Sequence, residues 1–486
     1  MKDRECVPFA PVLIESMRSL GYSFPAAIAD LIDNSISARA GNVWISTEPD
    51  VNPYLIILDD GTGMSKDRLY EAMRYGSSNP LQKREKGDLG RFGLGMKAAS
   101  LSQCRKLVVV SKQHMKICSY AWDIDYVIKQ SSWKVIEYQG SEIDVFPEIE
   151  KLKALEHGTY IYLSDFDRIK GSTDDFAETF NKNLNDMVNH LSLVFHRFIS
   201  DGLKIYMNNV LIEGKDPFLS DNKATQIMRE SSFYINNEKI TLKPYILPHP
   251  SKLSQKDLDK VGGKERLKNE QGFYIYRNKR LIVWGTWFRL ERKDELKKLA
   301  RVRVDIPNSL DYMWSIDIKK SSATLPDIIK QNMYSVVYES VMCSERVHTF
   351  RGRKNKEGIE FIWEKIKAGD GYEYVINRDI PQLKLLIETL NDQQTKMLSS
   401  VIRTLEESFP VNALYVDVAK GQIEEAKDNR QDEIEDIWNS FMEQIEYVKS
   451  NNLSVLEYCK AFMNVEPFCN YDEIKTRIQE VIDSNE

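Results

Sequence analysis

The segment Asp59-Asp60-Gly61-Thr62-Gly63-Met64 decides the fold of this chain, because it ends the apolar run Leu55-Ile56-Ile57-Leu58. An apolar run that is closed by acidic residues and glycines predicts a buried strand leading into a tight turn. Gly61 and Gly63 remove side chains where the backbone must bend and where a bound molecule would approach it. A single segment of this kind is more often a simple turn, so its interpretation depends on the rest of the chain.

Three further segments accompany this turn, one upstream and two downstream. They are Ala29-Asp30-Leu31-Ile32-Asp33-Asn34, Gly90-Arg91-Phe92-Gly93-Leu94-Gly95-Met96-Lys97 and His157-Gly158-Thr159-Tyr160-Ile161. Asp30 and Asn34 are four residues apart, so both project from one face of a predicted helix. The second glycine segment runs into another predicted helix, whose exposed N–H groups would suit phosphate oxygens. Together the four segments describe a nucleotide pocket.

The four segments and their order resemble the GHKL ATPases, a group that includes gyrase, MutL, histidine kinases and the microrchidia (MORC) proteins. The stretches 27–35 and 92–97 look most like bacterial MORC-type ATPases. The resemblance covers the chain to about residue 330. It implies an α/β (α+β) fold: a GHKL (Bergerat) ATP-binding sandwich of helices on a mixed sheet, a transducer-like α/β second domain and a helix-rich C-terminal region.

The resemblance also implies the roles of individual residues. Asp59 would accept a hydrogen bond from the adenine amino group, and Asn34 would hold Mg²⁺, which bridges phosphates. Asp30 stands where the family usually has a Glu general base, and its shorter side chain predicts slow hydrolysis. Ser37 stands where the family often has Asp. The other candidate ligands of ATP are Gly61, Gly63, Met64, Gly90, Arg91, Gly93, Leu94, Gly95, Met96, Lys97 and Thr159.

Two later segments would complete the ATP-binding site. The polar stretch 77–88 is either a solvated surface loop or the lid that covers the phosphates in this family. A second α/β module would open with two short strands over 203–212, and its alternating segment 314–318 leads into Lys319 and Lys320. The resemblance implies that a lysine of this segment reaches the γ-phosphate. Adjacent strand residues face opposite ways, so only one of the two can do so, and Lys320 is preferred. The alternative is two exposed lysines at a strand end.

We expect three domains, over residues 1–200, 201–330 and 331–486. The hydrophobic periodicity of the first predicts strands at Val43–Ser46, Tyr54–Leu58, Lys106–Ser111, Ile117–Asp123 and Tyr160–Leu163. It also predicts helices at Val12–Leu20, Ala26–Ala40, Lys66–Tyr75 and Met96–Leu101. The last third predicts helices at Pro326–Val347, Pro381–Ser408, Gln422–Ser450 and Tyr471–Asp483.

A basic region with interleaved aromatic residues lies in the second module. Such a composition suits a nucleic-acid backbone, but acidic residues dilute it and ordinary surface helices share it. DNA contact and a plain surface therefore stay equally open. The basic residues are Arg277, Lys279, Arg280, Arg289, Arg292, Lys293, Lys297, Lys298, Arg301 and Arg303.

The composition is that of an intracellular protein. The six cysteines are scattered, which favours reduced thiols over disulfides or zinc. No apolar run approaches the ~18 residues that a membrane span needs, and the N-terminal segment has no signal-peptide core. A net charge of −6 argues against a wholly basic nucleic-acid coat. We expect a cytoplasmic protein that is not in a membrane.

The sequence thus predicts a slow ATPase that acts as a conformational switch, with ATP and Mg²⁺ as cofactors. ATP would pair two subunits into a homodimeric clamp. DNA, or partner proteins of a phage-defence or restriction-like system, are the further partners that the resemblance implies. The alternative is an ATP-binding scaffold or chaperone that hydrolyses little ATP and does not contact DNA. A histidine kinase is disfavoured because no His precedes Asp30, and no endonuclease metal motif of the MutL type is visible.

Overall fold

The structure of the chain, a computed structural model, describes most of its residues. The described residues are 8–19, 21–50, 52–76, 95–169, 175–310, 327–349, 361–368, 371–410, 414, 430–451, 453–465 and 467–484. The predicted lid and segment 314–318 lie outside them, as do Gly90, Arg91, Gly93, Leu94, Lys319 and Lys320. The chain divides into two units, Met1–Thr349 and Phe350–Glu486.

The first unit is built on a seven-stranded mixed sheet. Its strands are β1 (Asn42–Glu48), β2 (Tyr54–Asp59), β3 (Lys106–Gln113), β4 (Lys116–Asp123), β5 (Gly158–Ser164), β6 (Lys204–Met207) and β7 (Val210–Leu211). They lie in the order β4-β3-β5-β2-β1-β6-β7. Neighbours are antiparallel except for β1 and β6, which are parallel. The five strands predicted from the sequence are confirmed. The pair at 204–211, which we expected to open the second module, instead extends this first sheet.

Helices cover this sheet. They are α1 (Ala10–Arg18), α2 (Phe24–Ser37), α3 (Lys66–Met73), α4 (Gly95–Leu101), α5 (Ile124–Gln130), α6 (Ile149–Ala154), α7 (Phe176–Val194) and α8 (His196–Ser200). The four predicted helices are confirmed, whereas α5, α6, α7 and α8 are additions. Ser23 caps the start of α2, where its side chain accepts a hydrogen bond from the Ala26 N–H, and a proline in the first turn favours the same start.

Residues 55–58 of strand β2 are all apolar because both faces of the strand are covered. Leu55 and Ile57 pack with the helical layer that contains α2 and α7, whereas Ile56 and Leu58 pack against residues 143–152 on the other face. Side chains alternate along a strand, so Asp59, the next residue, points to the helical side. The strand therefore places the Asp59 carboxylate next to α2.

A six-stranded sheet forms the second part of this unit. Its strands are β8 (Gln226–Ile227), β9 (Ser231–Ile235), β10 (Glu238–Ile246), β11 (Gly272–Arg277), β12 (Arg280–Thr286) and β13 (Ala300–Ile306). The order is β12-β11-β13-β10-β8, and β9 also pairs with β10. Helices α9 (Gln255–Lys260), α10 (Lys264–Asn269) and α11 (Asp327–Thr349) accompany it, and α11 packs on one face through residues that include Ile329, Met333 and Val337.

The two sheets share apolar packing. Phe273 and Ile275 of β11 belong to the core under α11, whereas the alternate residues Tyr274 and Tyr276 belong to the core of the seven-stranded sheet. Phe218 packs against these tyrosines, and its ring centroid lies 5.2 Å from that of Tyr274 and 4.5 Å from that of Tyr245. The mixed sheets with their helices confirm the predicted fold class.

The second unit is mostly helical. A hairpin of β14 (Trp363–Ala368) and β15 (Gly371–Ile376) precedes helices α12 (Pro381–Thr389), α13 (Asp392–Glu407), α14 (Arg430–Ser450), α15 (Val455–Phe462) and α16 (Asp472–Asp483). The single helix expected over 381–408 is wrong, because Asn391 starts a new helix by a reciprocal capping box with Gln394. Within the described part of the chain, no helix has the length and apolar character of a membrane span.

Candidate nucleotide-binding site

Asp59 is a buried carboxylate with fixed orientation. Its Oδ2 accepts a hydrogen bond of 2.8 Å from Ser35 Oγ on α2, and its Oδ1 accepts one of 2.9 Å from the Gly61 N–H. Burial raises the pKa of Asp59 to about 6, although hydrogen bonds from Ser35 and from the Gly61 and Thr159 backbone lower it. A desolvated carboxylate whose two oxygens each retain lone pairs can accept from an amino group of a ligand.

The two glycines of the turn after Asp59 have no room for a side chain. A Cβ on Gly63 would lie 2.0 Å from the Lys112 carbonyl oxygen, and its φ of +64° also favours glycine. A Cβ on Gly61 would lie 2.8 Å from Ala38 Cβ. His157 fixes the turn from the opposite side, with its Nδ1 2.6 Å from the Gly61 carbonyl oxygen. The glycine turn is therefore held rigidly against α2 and the start of β5.

Thr159 and Met64 complete the strand ends around Asp59. Thr159 lies directly opposite Asp59 in the β2–β5 ladder. Its Oγ1 lies 3.2 Å from Ser111 Oγ, and the Met64 N–H donates to the same Ser111 oxygen at 2.8 Å. Thus Asp59, Thr159 and Met64, which the sequence predicted as one site, meet at one end of the adjacent central strands β2 and β5.

Asp30 and Asn34 lie on α2, the helix that carries Ser35. Asp30 is 5% exposed and its Oδ2 accepts a hydrogen bond of 3.0 Å from the Tyr22 hydroxyl, whereas Asn34 is exposed. A Cβ on Gly95 would lie 3.7 Å from Asp30 Oδ2, so the end of the second glycine segment approaches this carboxylate. A buried carboxylate one turn from an exposed amide oxygen, beside a helix start, can orient water and hold a divalent cation.

Lys97 turns towards the protein interior. It is 1% exposed, its Nζ donates to the Ala72 carbonyl oxygen at 2.6 Å, and it lies 5.7 Å from the centre of the Tyr75 ring. Burial lowers the pKa of Lys97 to about 8. Lys97 thus supports the end of α3, and a phosphate contact remains a prediction. The neighbouring Met96 is partly buried and packs against the main core.

Sequence reasoning missed the supporting side chains Ser35, Tyr22, Ser111 and His157. Ser35 and His157 stand inside or beside the quoted segments, so their positions were available as a signal. Tyr22 and Ser111 had no such signal, because their contacts form between separate elements.

Part of the basic region 277–303 is buried or ion-paired. Arg277, Arg280 and Arg301 are 3%, 5% and 0% exposed. Ion pairs within the same unit occupy Lys279, Lys297, Lys298 and Arg303. Trp287 is buried as well. Arg289, Arg292 and Lys293 of the same region are exposed, however. DNA contact along this region therefore stays a prediction.

A comparison with known families agrees with this geometry. Residues 22–159 match the family described as histidine kinase-, DNA gyrase B- and HSP90-like ATPase. The match begins at Tyr22, which contacts Asp30, and ends at Thr159, which lies opposite Asp59. The matched stretch therefore includes Asp30, Asn34, Asp59 and both glycine segments, and it supports ATP as the ligand of this site. Residues 22–159 are thus similar to the ATPase domain of this family, which supports the GHKL superfamily for this part of the chain.

Proposed function

We propose that this chain is an ATP-hydrolysing conformational switch. The observation that carries the proposal is the arrangement on α2 and β2: the buried Asp30 and the exposed Asn34 share a helix with Ser35, which orients the buried Asp59. Recognition of adenine and activation of water would thus depend on one rigid helix. Because the same helix serves both steps, binding of ATP would be coupled to its hydrolysis.

Each residue has a proposed part in this reaction. Asp59 accepts from the adenine amino group, and the Gly61–Gly63 turn gives the ring close access to the backbone. Asp30, oriented by Tyr22, accepts the proton of the attacking water. The Asn34 side-chain oxygen is suited to Mg²⁺, which neutralises phosphate charge when bound. The Gly90–Lys97 segment would contact phosphates, and Lys319 or Lys320 would sense the third phosphate.

We further propose that ATP pairs two subunits into a clamp that acts with DNA or with partner proteins of a defence or restriction-like system, as the MORC-type resemblance implies. Part of the basic region 277–303 is buried or ion-paired, whereas Arg289, Arg292 and Lys293 are exposed. DNA contact is therefore tested directly, by binding at increasing salt, since phosphate contacts weaken steeply with ionic strength.

Phosphate release by the parental protein tests hydrolysis. Asp30→Ala should keep Mg²⁺-ATP binding and lose turnover by ~10²-fold or more, the usual scale for a general base. Asn34→Ala should weaken the Mg²⁺-dependent part of binding, because it removes an oxygen ligand. Hydrolysis by Asp30→Ala at the parental rate would assign water activation to another group.

The alternative is a scaffold that binds ATP and hydrolyses little. It is favoured by Asp in place of Glu at position 30, because the shorter side chain reaches less far towards a bound water. ATP binding by calorimetry without phosphate release, with or without DNA, would establish this alternative and refute the hydrolytic switch.

A further inference from the structure

A buried ion pair joins the site helix α2 to the second sheet. Arg280, the first residue of β12, donates from Nε to Asp33 Oδ1 at 3.0 Å, although 247 positions separate the two residues. Asp33 and Arg280 are 1% and 5% exposed. Separating the two charges would leave each of them buried and uncompensated, which is strongly unfavourable. The pair therefore holds α2 and β12 in one relative position.

Arg280 is restrained from other directions as well. Its Nη1 donates to the Leu281 carbonyl oxygen at 2.7 Å, and its guanidinium lies 4.4 Å from the centre of the Phe195 ring at the end of α7. Trp284 of the same strand packs on His190 of α7, with 5.8 Å between ring centres. Burial, aided by the Arg280 charge, lowers the pKa of His190 to about 3, so His190 is neutral at physiological pH. The guanidinium therefore has little freedom to follow Asp33 without moving β12.

Asp33 lies on α2 among the candidate site residues. It follows Asp30 by three residues and directly precedes Asn34 and Ser35. An α-helix moves as a nearly rigid rod over one turn, so a displacement at Asp33 also displaces these three side chains. Errors of ~1 Å in the placement of a reacting group can reduce turnover by ~10²-fold.

We propose that Asp33 and Arg280 are a positioning pair, through which the second sheet sets the position of the candidate catalytic helix. This inference rests on the proposed ATPase function and names how the second module regulates that site. Neither residue contacts the reacting atoms. Their contribution is to turnover, and much less to the binding of ATP.

Three variants test the pair: Asp33→Asn, Arg280→Gln and the two combined. Each single variant should lower kcat by ~10-fold to ~100-fold while the dissociation constant for ATP changes less than ~3-fold. The double variant leaves no uncompensated buried charge, so its thermal stability should recover, but its kcat should stay low. Recovery of kcat together with stability would mean that the pair is merely structural, and would overturn the proposal. So would parental kcat in folded single variants.

The chain offers a matched control one residue away. Lys279 Nζ and Asp201 Oδ2 lie 2.7 Å apart and join the same two parts, but both side chains are 52% exposed and neither lies on α2. Lys279→Gln should therefore leave kcat unchanged. Asp305→Asn breaks less exposed connections, the ion pairs with Arg197 of α8 and with Arg303 of β13, again without touching α2. A loss of kcat in these controls equal to that in Arg280→Gln would refute a specific role for α2.

Hydrogen exchange on the parental protein tests the same coupling without any variant. A non-hydrolysable ATP analogue should slow exchange of backbone amides in 280–286, while the distant strand 231–235 stays unchanged. Bound analogue with no change in 280–286 would overturn the inference. This measurement also separates the two proposals: a parental protein that binds the analogue but releases no phosphate fails as a hydrolase, and the coupling is then judged by exchange alone.

Discussion

Replacing Asp59 by Asn should weaken ATP binding and at the same time stabilise the protein without nucleotide. Asn offers one oxygen and one amide, so an amide donor would face either the Ser35 hydroxyl or the amino group of adenine. Losing a charged hydrogen bond and creating a donor–donor contact should cost roughly 2–4 kcal/mol, a loss of affinity of roughly 30-fold to 1,000-fold.

The gain in stability follows from the pKa of Asp59. Burial raises it from 3.8 to about 6, which corresponds to a penalty of ~3 kcal/mol on the ionised native form. Stability from this group is present when Asp59 is protonated and is lost as pH rises from 3.8 through about 6. Asn avoids the penalty but impairs the Ser35 hydrogen bond, worth ~1 kcal/mol. We expect Asp59→Asn to be ~1–2 kcal/mol more stable at pH 8, and this advantage should shrink towards pH 5.

Two measurements check the reasoning. Denaturant unfolding at pH 8 and pH 5 gives the difference in stability, and calorimetric titration gives the affinity for ATP. Parental affinity should fall as pH decreases below about 6, where Asp59 gains a proton. The pH profile of Asp59→Asn corrects for protonation of the ligand's own phosphates.

Asp60→Asn is the matched control. Asp60 accepts hydrogen bonds from the Gly41 and Asn42 N–H groups and from Asn42 Nδ2. Its replacement should lower stability by ~1 kcal/mol and leave ATP affinity unchanged. The assignment of Asp59 would be refuted by a folded Asp59→Asn protein that binds ATP with parental affinity. A variant less stable than the parent at pH 8 would refute the burial argument.

Two further predictions concern the turn and the γ-phosphate sensor. Gly63→Ala should destabilise the protein by ~2 kcal/mol or more in denaturant unfolding, because its Cβ would meet the Lys112 carbonyl oxygen at 2.0 Å in a left-handed conformation. The matched change Gly76→Ala, also at positive φ but with no atom of the described residues within 4 Å of the new Cβ, should cost ~1 kcal/mol. For the sensor, light scattering should show a dimer with a non-hydrolysable ATP analogue, and Lys320→Ala should abolish it while Lys319→Ala does not. A mass that is independent of nucleotide would contradict the clamp.

The local parts of the site were predictable from sequence because each depends on a short segment. The run 55–58 and the turn after it specify a strand end, and the spacing of Asp30 and Asn34 specifies one helix face. The start of α13 also had a local signal, since Asn391 and Gln394 have the spacing of a capping box. The prediction of one helix over 381–408 followed the continuous helical pattern instead.

The contacts between distant elements were not predictable, because composition does not reveal which face of a strand is buried or what meets it. In the sequence Arg280 belongs to a basic region, yet in the structure it forms an ion pair with Asp33 of the segment 29–34. Arg301 is fully buried and donates to the Pro217 carbonyl oxygen. Only the packing of two sheets, one against the other, turns these surface-like charges into interior ones.

The shared packing of the two sheets also limits how the chain can be divided in the laboratory. A fragment that ended at residue 200 would lose β6, leaving the β1 edge unpaired, and would uncover the surface that receives Tyr245, Tyr274 and Tyr276. Open strand edges and exposed apolar faces promote aggregation. Expression trials and crystallisation of the nucleotide-binding part should therefore begin from fragments that reach residue 349, the end of the first unit.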